Sequence, residues 1–154
     1  MISYEDLGNF IVNANRYLVL NTNQRNTVYI ALDKLVRRDS KKLNRYKEDI
    51  EDYCEDLRTD ACSKDPKGNL DEEKVILKDA KGNEKAVFKK KYTPEADKKL
   101  RKDIREYTRK KMDADSGFEP HFVDVPDDFD VFYRSQFEGF IFKEGEVSKE
   151  QKTT

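Results

Sequence analysis

Residues 23–61 read NQRNTVYIALDKLVRRDSKKLNRYKEDIEDYCEDLRTDA, and this stretch decides the architecture. Val28, Leu32, Leu35, Leu43, Tyr46, Ile50, Tyr53 and Leu57 recur at steps of three and four, the spacing of one helical face. Asp39 stands at the missing position of that seam. Asn21-Thr22-Asn23 competes locally with regular backbone and offers a fresh cap, so the pattern predicts a helix from about Asn23 to Ala61. At ~1.5 Å per residue such a helix runs to ~57 Å, more than the width of a small domain. Helical stability comes mostly from burying the seam, so the helix needs a partner along its length. That partner is another helix of the chain, a second subunit, or both.

Upstream, Ser3 followed by Asp6 is a helix start, and Leu7, Phe10, Ile11, Ala14, Tyr17 and Leu18 repeat at helical spacing to about Val19. Downstream, Lys64-Asp65-Pro66-Lys67-Gly68-Asn69 breaks the helix. Two β-prone runs, Lys74–Lys78 and Glu84–Phe88, flank Asp79-Ala80-Lys81-Gly82-Asn83 and predict a β-hairpin. A lone hairpin is marginal in water and must dock or gain a strand. Thr93-Pro94-Glu95 starts a further helix, expected over 94–112 and antiparallel to the long one. The last segment is rich in aromatic residues: seven of the nine phenylalanines lie between Phe118 and Phe142. Phe118–Phe122 reads as an edge strand, Pro126-Asp127-Asp128 as the cap of a short helix carrying Phe129, Phe132, Tyr133 and Phe137, and Phe140–Phe142 as a short strand. The expected fold is α+β, mainly α: a long antiparallel helix pair with an inserted β-hairpin and an aromatic C-terminal segment. It forms a single domain over 1–144, with a disordered tail at 145–154 and no internal repeat.

Composition sets bounds on function. The 154 residues include 31 basic and 32 acidic groups, for a net charge of −1. Charged residues make up 41% of the chain, which implies a thin core and much solvated helix surface. No apolar run approaches the ~18 residues of a membrane span, and the N-terminus lacks a secretory leader, so no membrane partner is expected. Cys54 and Cys62 are too few for a disulfide scaffold and read as free thiols. There is no CxxC, Walker loop, GxSxG or HExxH, and the single histidine is His121. No catalytic residue, cofactor or metal site is expected. The acidic run Glu48–Asp60 lacks the spacing and glycine of a cation loop and reads as solvated surface. Asp124, Asp127, Asp128 and Asp130 near His121 look slightly more like a metal loop, but a helix cap with surface acids is the better reading.

Two candidate surfaces stand out. Aromatic residues dominate interface hot spots, so Phe129, Phe132, Tyr133, Phe137 and Phe140 are the candidate protein-binding set, with core packing as the plainer role. Charge is also uneven. Residues 81–112 carry 13 basic and 5 acidic groups, whereas residues 113–154 carry 4 and 11. Lys91, Lys98, Lys102, Arg105 and Arg109 are the candidate nucleic-acid contacts, with Tyr92 and Tyr107 interleaved. Their plainer role is to face the acidic end of the long helix within the chain.

The order of parts is Leu7–Leu18, Thr27–Ala61, Lys64–Asn69, Val75–Phe88, Pro94–Lys111 and Phe118–Phe142. In that order the chain resembles a family of small uncharacterised proteins of tailed bacteriophages and prophages. Its β-rich insertion and phenylalanine density depart from the family pattern. The resemblance implies a phage or prophage origin and transfers no site residues. The leading expectation is a non-enzymatic protein-interaction module, a phage accessory or virion-associated protein of the bacterial cytoplasm or the virion. It is expected to bind a protein partner or itself as a homo-oligomer. The alternatives are nucleic-acid binding through helix 94–112 and inhibition of a host defence enzyme by acidic surfaces.

Overall fold

In a computed structural model, which describes residues 1–23 and 26–145, Ser3 caps the first helix by accepting the Asp6 N–H at 3.1 Å. Helix α1 runs Tyr4–Leu20 and buries Leu7, Phe10, Ile11, Ala14, Tyr17 and Leu18. Helix α2 runs Thr27–Ala61. It starts four residues later than the sequence pattern suggested, because Asn26 is the capping group: its side chain accepts the Tyr29 N–H at 3.0 Å. Strands β1 (Glu72–Lys78) and β2 (Glu84–Lys90) form a two-stranded antiparallel sheet, followed by α3 (Pro94–Met112) and α4 (Val131–Phe137). The protein is thus mainly helical with an inserted β-hairpin and an aromatic cluster near the C-terminus. Among the described residues no helix is long and apolar enough to cross a membrane. Of the tail expected at 145–154, all but Gly145 lies outside the described residues.

The chain divides into two compact units. One comprises Met1–Lys47 with Met112–Thr154, the other Glu48–Lys111. In the first, the buried stripe of α1 meets Val28, Ala31, Leu32, Leu35 and Leu43 of α2, and Phe137, Phe140, Ile141 and Phe142 complete the core. Fully burying each of the Val, Leu, Ile and Phe side chains stabilises the unit by about 1.5–3 kcal/mol. Asp39 stays on the seam, buried, because Arg38 gives its carboxylate three hydrogen bonds of 3.0–3.2 Å. The same guanidinium donates to the Glu119 carbonyl at 2.6 Å and lies over the Phe118 ring, which ties α2 to the C-terminal segment. The N-terminal residues are pinned by the Tyr4 N–H to Ala114 carbonyl bond and by Ser116, whose N–H and hydroxyl both donate to the Ile2 carbonyl.

The aromatic segment is built differently from its expected form. Phe118–Phe122 and Phe140–Phe142 are not regular strands. Pro120 has no N–H for a ladder, and only His121 and Val123 bond across, to the carbonyls of Phe140 and Ile141. Residues 140–142 instead form a turn in which three successive N–H groups converge on the Phe137 carbonyl. The cap of α4 is Asp130, whose side chain accepts from Phe132 and Tyr133, so Phe129 precedes the helix. Pro126–Phe129 is a turn, closed by the Phe129 N–H on the Pro126 carbonyl.

Candidate interaction surfaces

In the second unit, the end of α2, the hairpin and α3 are assembled by a few specific contacts. The rings of Tyr53 and Tyr107 stack at 4.1 Å, and just before α3 Lys90 meets Glu55 late in α2 at 2.6 Å while the Lys91 carbonyl accepts the Ser63 N–H just past the end of α2. The two helices therefore run antiparallel. Ile50, Cys54, Cys62 and Leu100 are buried here. Both cysteines are free thiols, and the Cys62 Sγ lies 3.4 Å from the carbonyls of Ser63 and Asp71. Burial pushes the phenols of Tyr92 and Tyr107 above their usual range.

The hairpin is framed by two copies of one turn, an internal repeat that the sequence reading missed: Asp65-Pro66-Lys67-Gly68-Asn69 and Asp79-Ala80-Lys81-Gly82-Asn83. In each, the aspartate N–H donates to the asparagine carbonyl and the glycine N–H donates back to the aspartate carbonyl, at 2.8–3.0 Å. One aspartate oxygen in each accepts the N–H groups of the lysine and the asparagine, at 2.8–2.9 Å. Gly68 and Gly82 sit at φ 83° and 79°, where an L side chain is strained. The backbone donors hold the Asp79 carboxyl below the usual carboxylate range, with the Asn83 N–H the largest cause.

The base of the hairpin is locked. Ser63 is wedged between its two ends: Ser63 N–H donates to Lys91, Asp71 N–H to Ser63, and Lys91 N–H to Asp71. Lys90 meets Glu55 at 2.6 Å, and Arg58 meets Glu51 and Glu55. These contacts lower the Glu55 carboxyl, Lys90 first and Arg58 second, and raise Lys90. The partner that the structure gives Glu55 is thus the hairpin lysine, where the sequence reading had pointed to helix 94–112.

Beyond that base the arm is bare. Side chains alternate across a sheet, so Ile76, Ala86 and Phe88 lie on one face and Val75, Leu77 and Val87 on the other. Ile76, Leu77 and Phe88 are 58%, 47% and 64% exposed. Apolar side chains thus stand in water on both faces of a two-stranded element. The signal lay in the sequence as Val75-Ile76-Leu77, three successive apolar residues that one buried face cannot absorb.

The aromatic candidates are placed mainly in the core of the first unit. Phe137 is fully buried, with ring contacts to Phe10, Tyr17, Tyr133 and Phe142 at 5.5–6.4 Å. Phe140 is buried and stacks on Phe10 at 4.2 Å. Phe129 and Tyr133 are half-buried against the same core. Only Phe132, beside Val131, is offered to solvent.

The basic candidates divide as well. Lys98, Lys102, Arg105 and Arg109 step by four, three and four along α3, which places them within about 60° of arc. That stripe is exposed and lies opposite Leu100, Ile104 and Tyr107. Among the described residues Lys98, Lys102 and Arg105 have no acidic partner, whereas the neighbouring Arg101 is held by Asp97 at 3.1 Å. Lys91 belongs to the hairpin closure, 3.9 Å from Asp71, and does not join the stripe. Among the described residues no three of His, Cys, Asp or Glu gather to hold a metal ion. No family model matches the chain, and neither a curated protein nor a solved structure matches it.

Proposed function

We propose that the chain is a non-enzymatic protein-interaction module whose binding element is the β1–β2 hairpin. The observation that carries this reading is the exposure of Ile76, Leu77 and Phe88 on an arm with a locked base. A two-stranded hairpin is marginal by itself, and apolar side chains left in water on both of its faces favour a covering partner. The order of parts fits a phage accessory or virion-associated protein working in the bacterial cytoplasm or the virion. Within the aromatic segment, Phe132 with Val131 is the remaining contact candidate, because Phe137 and Phe140 serve the core. The test compares capture by the tagged chain with capture by an Ile76→Asp/Phe88→Asp variant, each after nuclease treatment. A defined protein that binds directly to the purified wild type and not to the folded variant supports the reading. Equal binding by both overturns it.

A second reading rests on the stripe of α3. Three unpaired cations on one exposed helical face suit a phosphate backbone, and binding through them falls with salt by about one unit of log–log slope per contact. A Lys98→Glu/Lys102→Glu variant that leaves DNA and RNA affinity unchanged, or a wild type that binds neither at low salt, rejects it.

A further inference from the structure

The free edge of β1 carries information about which strand could pair with the hairpin. The Asp79 N–H bonds the Asn83 carbonyl and the Lys91 N–H bonds the Asp71 carbonyl, so odd-numbered residues of β1 face β2. The backbone groups of Glu72, Lys74, Ile76 and Lys78 then point outward, and all four residues are exposed. A partner strand must pair with these four.

We infer that this edge takes a second copy of the same strand, antiparallel about a two-fold axis through Val75. The inference rests on the interaction-module reading and names its partner. A two-fold axis beside a strand makes the pairing self-complementary, so the charges of one strand select the register. Centred on Lys74 or on Ile76, the pairing sets Lys74 against Lys74 or against Lys78, and like charges directly opposite oppose pairing. Centred on Val75, Glu72 meets Lys78 of the second copy, Lys78 meets its Glu72, and each Lys74 lies opposite an Ile76. Of these three central registers, the lysines that guard the edge against other strands thus leave one open.

The full row across four strands is consistent with this. Glu72 already pairs with Lys90, and Lys78 with Glu84, within one hairpin. In the four-stranded sheet the row reads Lys90, Glu72, then Lys78 and Glu84 of the second copy, with charges alternating throughout. On the opposite face Val87 and Val75 meet Val75 and Val87 of the second copy in an unbroken valine row. The edge of β2 offers no equivalent, because Lys90 at its base is engaged with Glu55 at 2.6 Å and is largely shielded.

The test is oxidative cross-linking of full-chain variants with one added cysteine each, the native Cys54 and Cys62 being buried. At the axis the two Val75 residues form a non-hydrogen-bonded pair, with Cα atoms about 4.5 Å apart, inside the range a disulfide spans. Val75→Cys is expected to give a covalent dimer, mapped by mass spectrometry to residue 75 in both chains. Leu77→Cys is expected to stay uncross-linked, since in this register it faces Glu73. Sedimentation of the unmodified chain should show a concentration-dependent dimer, weakened about tenfold by Glu72→Lys or by Lys78→Glu, which act at two symmetry-related pairs. The double swap Glu72→Lys/Lys78→Glu should recover the dimer. Within one hairpin the same swap sets like charges against Lys90 and Glu84, so a merely structural effect predicts the opposite. A monomer at every concentration, a cross-link that prefers residue 77, or a double swap weaker than either single overturns the inference. A monomer whose Ile76 and Phe88 still capture a different protein would sink the dimer alone and leave the interaction-module reading standing.

Discussion

Truncating Phe137 and Phe132 separately distinguishes a core from a docking patch within one seven-residue helix. Phe137 is fully buried and touches four aromatic rings, so Phe137→Ala removes its transfer energy and leaves a cavity in a rigid cluster. Such changes cost about 3–5 kcal/mol. Phe132 is half exposed and its one ring neighbour among the described residues is Tyr133 at 5.2 Å, so Phe132→Ala costs about 1 kcal/mol or less. At about 2–4 °C per kcal/mol for a chain of this length, the first variant lowers Tm by about 6–20 °C and the second by no more than about 4 °C. Thermal unfolding followed by far- and near-ultraviolet circular dichroism reads both. Equal shifts, or a Phe137→Ala protein that melts like the wild type, would refute the assignment of this segment to the core.

Four further outcomes follow from the same contacts. The carboxyls of Glu55 and Asp79 are depressed in the folded state, so their contribution is present above the ordinary carboxylate range and is lost as pH falls through and below it. Hydrogen exchange of residues 72–90 should accelerate in that acid window, and Glu55→Gln should remove the Lys90-linked part of the effect. The phenols of Tyr17, Tyr92 and Tyr107 are raised, so stability is full below pH 10 and falls as pH rises above it, and a spectrophotometric titration should find late-ionising tyrosines. Gly82→Ala meets no atom within 4 Å but forces a side chain to φ 79°, so it should cost about 1 kcal/mol, while Gly82→Asn, whose side chain tolerates this conformation, should cost less. Cys54 and Cys62 are buried, so a thiol reagent should label neither in the native protein and both in denaturant.

The helices were largely legible because their signals are local. Ser3 and Thr93 are caps, the seam of α2 is periodic, and Gly82 marks the hairpin turn; each depends on residues within one or two turns. What escaped the sequence reading was set at longer range. Asn26 displaced the start of α2 because a cap is chosen by side-chain geometry as well as by residue type. Pro120 and the convergence on the Phe137 carbonyl turned alternating aromatic runs into irregular backbone, although their spacing suits a strand. The paired Asp-x-Lys-Gly-Asn turns were visible as text, but their equivalence rests on matching hydrogen bonds. Of the candidate sites, the alignment of Lys98, Lys102, Arg105 and Arg109 was readable from helical spacing. Whether acids neutralise them was not, since the Glu55–Lys90 pair joins residues 35 positions apart. The bare hairpin was hardest to see, because exposure of Ile76 and Phe88 depends on what the rest of the chain leaves uncovered.

Whether Ile76 and Phe88 form a binding surface is tested most directly by capture with the wild-type chain against an Ile76→Asp/Phe88→Asp variant of equal secondary structure, both after nuclease treatment. The prediction is a protein partner that survives nuclease, rebinds the purified wild type and is lost with the variant. A partner set that the variant retains, or that nuclease removes, contradicts it.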